Sequence, residues 1–202
     1  ADGENPFRFG SFTTMGEFYV ETGLNIIGMS DYKRILSLDS AMAVVQFKKD
    51  HVAYQRNYFI SYPANVMVMR FSADQPGKQN LVFSYAPNPV STGNMASDSN
   101  KGLVSSASLD NNGMKYVVRI QAETKGGTLS NADGKLTVKG ADEVVFYITA
   151  DTDYKPNFDP DFKEPKTYVG VNPEETTKEW MNNAVLQGYT ALFSQHYNDY
   201  AT

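Results

Sequence analysis

Between residues 17 and 150 the sequence is broken into short runs rich in β-branched and aromatic residues, separated by turn-forming pairs: Pro76-Gly77, Asn112-Gly113, Gly126-Gly127 and Asp133-Gly134. Such pairs supply the fixed or positive φ of tight turns, and polar–apolar alternation between them is the period of half-buried strands. The spacing predicts strands over 32–38, 43–47, 52–61, 66–72, 81–85, 103–109, 115–124, 135–138 and 143–150. The first two form a hairpin, and Tyr62-Pro63-Ala64-Asn65 turns between the third and fourth. About nine strands at this spacing bury both faces most simply as an all-β antiparallel sandwich of two sheets. Two segments interrupt the pattern. Residues 87–101 are polar and turn-rich, and 151–172 are aromatic and acidic; both are expected to be loops, a length that usually carries function or meets a partner.

At Asn172 the character changes. Asn172-Pro173-Glu174-Glu175 places an N-cap, a first-turn proline and a capping-box glutamate in order, with acidic groups at the positive end of the helix dipole. Met181, Ala184, Val185, Gly188 and Leu192 then recur at helical spacing, and Trp180, Tyr189 and Phe193 widen the apolar face. The expectation is a sandwich over 1–172 followed by a linker helix over 173–202. The apolar face is broader than one helix on a sandwich needs, so part of it is expected to meet an absent domain. The pattern is still running at Asp199-Tyr200-Ala201-Thr202, which suggests a piece of a longer chain.

The 202 residues, 41% hydrophobic and 20% charged, suffice for an ordinary globular core. A net charge of −5 without any basic stripe argues against a nucleic-acid partner, because phosphate binding requires clustered lysine and arginine. The longest apolar runs, 66–69 and 144–148, fall far short of the ~20 residues of a membrane span. Without cysteine there is no disulfide framework, thiolate metal site or cysteine nucleophile. Residues 1–10 lack the basic start and apolar stretch of a signal peptide.

Candidate chemistry is sparse. His51 falls in a hairpin turn and His196 near the end of the helix, where an imidazole commonly stabilises a helix end or an interface; neither stands in a nucleophile motif. Asp151, Asp153, Asp159 and Asp161 could suggest calcium, but Lys155 occupies the place of a third ligand and the required glycine is missing, so the segment reads as a solvated acidic loop. Neither a metal nor any other cofactor is expected. Glu17, Glu21, Glu123 and Glu143 read as exposed positions or strand ends, and none is assigned as a glycosidic acid. Tyr154, Asn157, Phe158, Asp159 and Phe162 combine aromatic faces with polar groups. That set suits stacking on a pyranose ring, but aromatic residues in a long loop more often pack beneath it or against a neighbouring domain, and contact between domains is the favoured reading.

Three sets of residues carry a family resemblance: Gly16-Glu17-Phe18-Tyr19-Val20, 32–41, and 54–66 from Tyr54-Gln55-Arg56 to Asn65-Val66. With 112–116, 133–138, 140–143, 149–154 and Gly188-Tyr189-Thr190-Ala191-Leu192, they resemble the N-terminal domain of glycoside hydrolase family 95. The resemblance implies a β-supersandwich packed on an (α/α)6 catalytic barrel, in an inverting enzyme of the 1,2-α-L-fucosidase type; some relatives act on α-L-galactosides. It implies as partners the catalytic domain of the same polypeptide and, for the parent enzyme, a fucosylated glycan. It also implies a periplasmic or secreted location. Trp180, Tyr189, His196, Asp199 and Tyr200 would belong to the linker and its interface. No catalytic residue is carried over, since the family's catalytic acid and water-positioning amides have no counterpart here. Asn57 stands where the family often has glutamate, and the family's first strands are expected to be missing. The rival expectations are a carbohydrate-binding module that stacks glycans on Tyr154, Phe158 or Phe162, and an independent enzyme, for which no constellation speaks.

Overall fold

The computed structural model describes residues 13–158 and 168–201. It is a three-layer arrangement of small sheet, large sheet and helix. The small sheet has strand order β1(Gly16–Glu21), β6(Gln79–Pro87), β11(Lys135–Ala141), β10(Thr128–Ala132). The large one has eight strands in the order β2(Ser30–Ser37), β3(Met42–Lys49), β4(Val52–Ser61), β5(Val66–Ala73), β12(Glu143–Thr152), β9(Lys115–Lys125), β8(Gly102–Leu109), β7(Ser91–Ser99). All pairings between these strands are antiparallel.

Alternation explains the layers. On β5 and β12, Met69, Phe71, Val144, Phe146 and Ile148 point to the small sheet, where Phe83 stacks on Phe146 with centroids 4.6 Å apart and Leu136 and Val138 close the core. The intervening residues Val66, Val68, Val145 and Tyr147 point the other way, onto α1(Pro173–Tyr200) and its Met181, Ala184 and Leu192. The uninterrupted apolar runs at 66–69 and 144–148 are therefore strands covered on both faces.

The predicted sandwich and terminal helix are present, but the described residues contain twelve strands. The segment 87–101 is a loop only at its ends. Residues 91–99 form β7, the outer edge of the large sheet, whose side chains are nearly all exposed and which is held by backbone pairing to β8. Likewise β12 runs to Thr152, so the irregular stretch begins at Asp153. The helix starts as expected: Asn172 Oδ1 accepts from the Glu174 amide at 3.2 Å and Pro173 occupies the first turn. Glu174, at the second helical position, pairs with Arg119, its Oε2 lying 2.7 Å from the guanidinium.

Candidate interface at one end of the sandwich

The register brings the β2–β3 turn, the β4–β5 turn, the start of β1 and the ends of β6 and β12 to one end of the molecule, since Ser61 pairs with Val66 and Ile148 with Met67. The eight-stranded sheet is twice as wide as the sheet that covers it. Its inner face therefore runs out from under cover: the cross-strand row Phe146–Met69–Tyr58–Ala43–Leu36 begins in the core and finishes at an exposed edge. Two residue pairs further along, on the same face, Ile60 stands beside Met67.

Two apolar clefts open here and share Ile60, Tyr62 and Met67. The first, of about 600 Å³, is walled by Phe18, Tyr85, Asp151 and Trp180. The second, of about 450 Å³, is walled by Leu36, Ala43, His196, Asp199 and Tyr200. Ile60 is 67%, Tyr62 81% and Leu36 68% exposed, a contiguous apolar surface of the kind that marks an interaction site. Burial pushes the Tyr58 phenol above its ordinary range, with Arg56 opposing.

The predicted linker residues divide. Trp180 lies in the first cleft, and His196, Asp199 and Tyr200 in the second. His196 sits at an interface near the helix end. Its ring is buried and stacks on Phe59 at 5.0 Å, and Nε2–H donates to the Ser40 carbonyl at 3.0 Å, tying the last turns of α1 to the β2–β3 turn. Tyr189 lies elsewhere, beneath the Arg70 guanidinium at 4.8 Å and against Phe59. His51 is an exposed turn residue.

The aromatic segment follows β12 at the same end. Tyr154 stacks on Tyr168 at 5.9 Å, and the Lys155 amide donates to the Tyr168 carbonyl at 2.8 Å. Phe158 is 98% exposed and Asn157 half-buried. Asp159 and Phe162 lie outside the described residues, as does Asp161. Asp153 is buried and accepts from the Lys115 amide at 2.9 Å, while Asp151 accepts from the Thr152 amide at 2.8 Å. These carboxylates cap backbone, and the described residues hold no cluster of three or more metal-ligating groups. Nor does a described helix have the length and apolarity to cross a membrane.

The residues missed from sequence are Leu36, Ile60, Tyr62 and Met67. Their parity matches that of core positions, and only the width mismatch between sheets exposes them. The one available signal was an aromatic residue at the head of a proline turn, Tyr62-Pro63.

The profile described as glycosyl hydrolase family 65, N-terminal domain, matches residues 3–157. A protein of Aspergillus niger described as a probable alpha-fucosidase A is 29% identical over 98% of this chain and 25% of its own length. Alpha-L-fucosidase 2 of Arabidopsis thaliana is 24% identical over 85% of this chain and 22% of its own. The chain thus spans about a quarter of the length of these relatives. A solved chain described as a kojibiose phosphorylase from the human microbiome superposes with a TM-score of 0.59 at 10% identity, over 91% of this chain and 27% of that one, a likeness of fold. The chain belongs to the glycosyl hydrolase family 65 N-terminal domain family.

Proposed function

We propose that this chain is the non-catalytic N-terminal domain of a fucoside-cleaving glycoside hydrolase of the family 95 type, and that its apolar end packs on the catalytic domain of the same polypeptide. The observation that carries the reading is the continuous apolar surface of Leu36, Ile60, Tyr62 and Met67, walled by the last turn of α1. A surface of that kind is covered in a stable assembly. The α-L-fucosidase assignment is supported by the names of both relatives and by the quoted family 95 segments. The inverting course, the fucosylated substrate and the secreted or periplasmic location follow from the same resemblance.

The test is hydrolysis of a 2'-fucosyllactose-type substrate by the 202-residue chain and by a polypeptide extended through the catalytic domain. Activity is expected only in the longer protein; turnover by the shorter one overturns the reading. Tyr62→Asp tests the packing. At an exposed turn it costs the short chain under ~0.5 kcal/mol, whereas it lowers the Tm of the longer protein by several degrees.

A second reading rests on the exposed stacked pair Tyr154–Tyr168 and the bare Phe158 ring: a carbohydrate-binding module that holds fucosylated glycans on these faces. A flat titration of the chain with such glycans removes it.

A further inference from the structure

We propose that the open outer face of β2 to β5, at the end of the sheet away from the apolar clefts, binds a neutral oligosaccharide laid across the strands. Register places Lys33 beside Gln46, Gln46 beside Gln55 and Gln55 beside Ser72, so four polar side chains stand in one row on one face of four adjacent strands. They line an open cleft of about 660 Å³, within the ~300–1,000 Å³ typical of small-molecule sites.

The chemistry of the row selects the ligand. Gln46 Nε2 donates to Gln55 Oε1 at 2.9 Å, and Gln55 Nε2 donates to Asn57 Oδ1 at 3.0 Å. The buried Asn57 thus anchors a directed chain of amides, and the chain fixes the orientation of the two glutamines. The Gln46 amide oxygen and the remaining N–H groups of both glutamines are left to the cleft. Paired donors and acceptors on rigid neighbouring strands match vicinal hydroxyls, each of which donates and accepts. Charge in the cleft balances: Asp31 and Asp74 face Lys33 and Lys48, with Lys48 Nζ 2.9 Å from Asp31 Oδ2, so no net field favours an anionic ligand. Strands lie ~4.8 Å apart, close to the rise of one hexose along an extended glycan, so successive sugars meet successive side chains. The site shares no lining residue with the apolar clefts, and its fate is independent of how that end packs.

The experiment is titration of the isotopically labelled 202-residue chain with neutral fucosylated oligosaccharides, a maltooligosaccharide of matching length and an oligogalacturonate, read by amide resonances. Neutral oligosaccharides are expected to shift the side-chain amides of Gln46 and Gln55 and the backbone of Ser72 at millimolar concentration. Gln46→Ala with Lys33→Ala weakens binding about tenfold, the loss expected for two hydrogen bonds, while Lys101→Ala, at the exposed turn between β7 and β8, leaves it unchanged. Both substituted residues are at the open end of the row, so Asn57 keeps its donor and the fold is retained, as an unchanged Tm verifies. The proposal is overturned if no neutral oligosaccharide shifts these resonances, if only the oligogalacturonate does, if the shifts gather at Tyr154 and Phe158, or if the double variant binds undiminished.

Discussion

Arg119 shows how one residue can hold two layers together. It lies mid-strand in β9 with a side chain 8% exposed, a position a charge occupies only when paired. Nη1 lies 2.9 Å from Asp98 on β7, Nη2 2.7 Å from Glu174 in the first turn of α1, and Nε donates to Thr177 Oγ1 at 3.3 Å. One guanidinium thus joins β7, the centre of the sheet and the start of the helix. Removing the cation strands two half-exposed carboxylates against a sheet built around it. Arg119→Leu is therefore expected to lower unfolding free energy by about 3 kcal/mol in urea titration, and Glu174→Gln by about 1 kcal/mol. A leucine variant as stable as the parent would mean that desolvation of the ions outweighs their attraction. The acidic first turn was legible as a dipole partner, but Arg119 as its counter-ion was not, because that contact joins positions 55 residues apart.

At the scale of elements, α1 is two helices joined at Gly188, whose φ of 71° and ψ of 170° are not helical. This break accounts for the breadth of apolar surface in the sequence: the first half buries Thr177, Met181 and Ala184, the second Leu192 and His196. Nothing lies within 4 Å of where a Cβ would stand, so the glycine is required by conformation and not by packing. In an ordinary helix Gly→Ala gains up to ~1 kcal/mol, whereas a backbone region open essentially to glycine alone penalises alanine by ~1–3 kcal/mol. Gly188→Ala is expected to lower Tm; if it raises helicity as well, the helix has straightened and drawn Tyr189 and His196 off Phe59. A gain in stability would refute the break. The strands were legible where one or both faces are buried, as in β4, β5, β9 and β12. β1, β7 and β10, each at the edge of a sheet, were not; in β7, Ser91–Ser99, nearly every side chain is exposed and the strand is held by backbone bonds that leave no periodicity in side chains.

At the scale of the whole molecule, each boundary between layers encloses a tyrosine. Tyr85 lies between the sheets and donates to the Met15 carbonyl at 2.7 Å; Tyr147 lies between the large sheet and α1 and donates to Glu123 at 2.9 Å. The apolar end of the sandwich was illegible because exposure there depends on the relative widths of two sheets, a property no segment encodes. The buried tyrosines make the layering testable by pH. Burial raises both phenols above their ordinary value of 10, followed in effect by Tyr116 for Tyr85 and by Glu123 for Tyr147. A folded-state value above the unfolded one means that the native state keeps the proton longer. These tyrosines therefore contribute fully below pH 10, and the contribution falls as pH rises above the unfolded value, at up to ~1.4 kcal/mol per pH unit for each group. Urea midpoints between pH 8 and 11.5 are expected to be level and then to drop. Tyr147→Phe should lower the level part by about 1 kcal/mol through the lost Glu123 bond and make the drop shallower, since one of the two protons no longer resists removal. An equally steep drop in the phenylalanine variant would show that Tyr147 titrates in the folded protein as it does in the unfolded chain, and that the helix does not seal its face of the sheet.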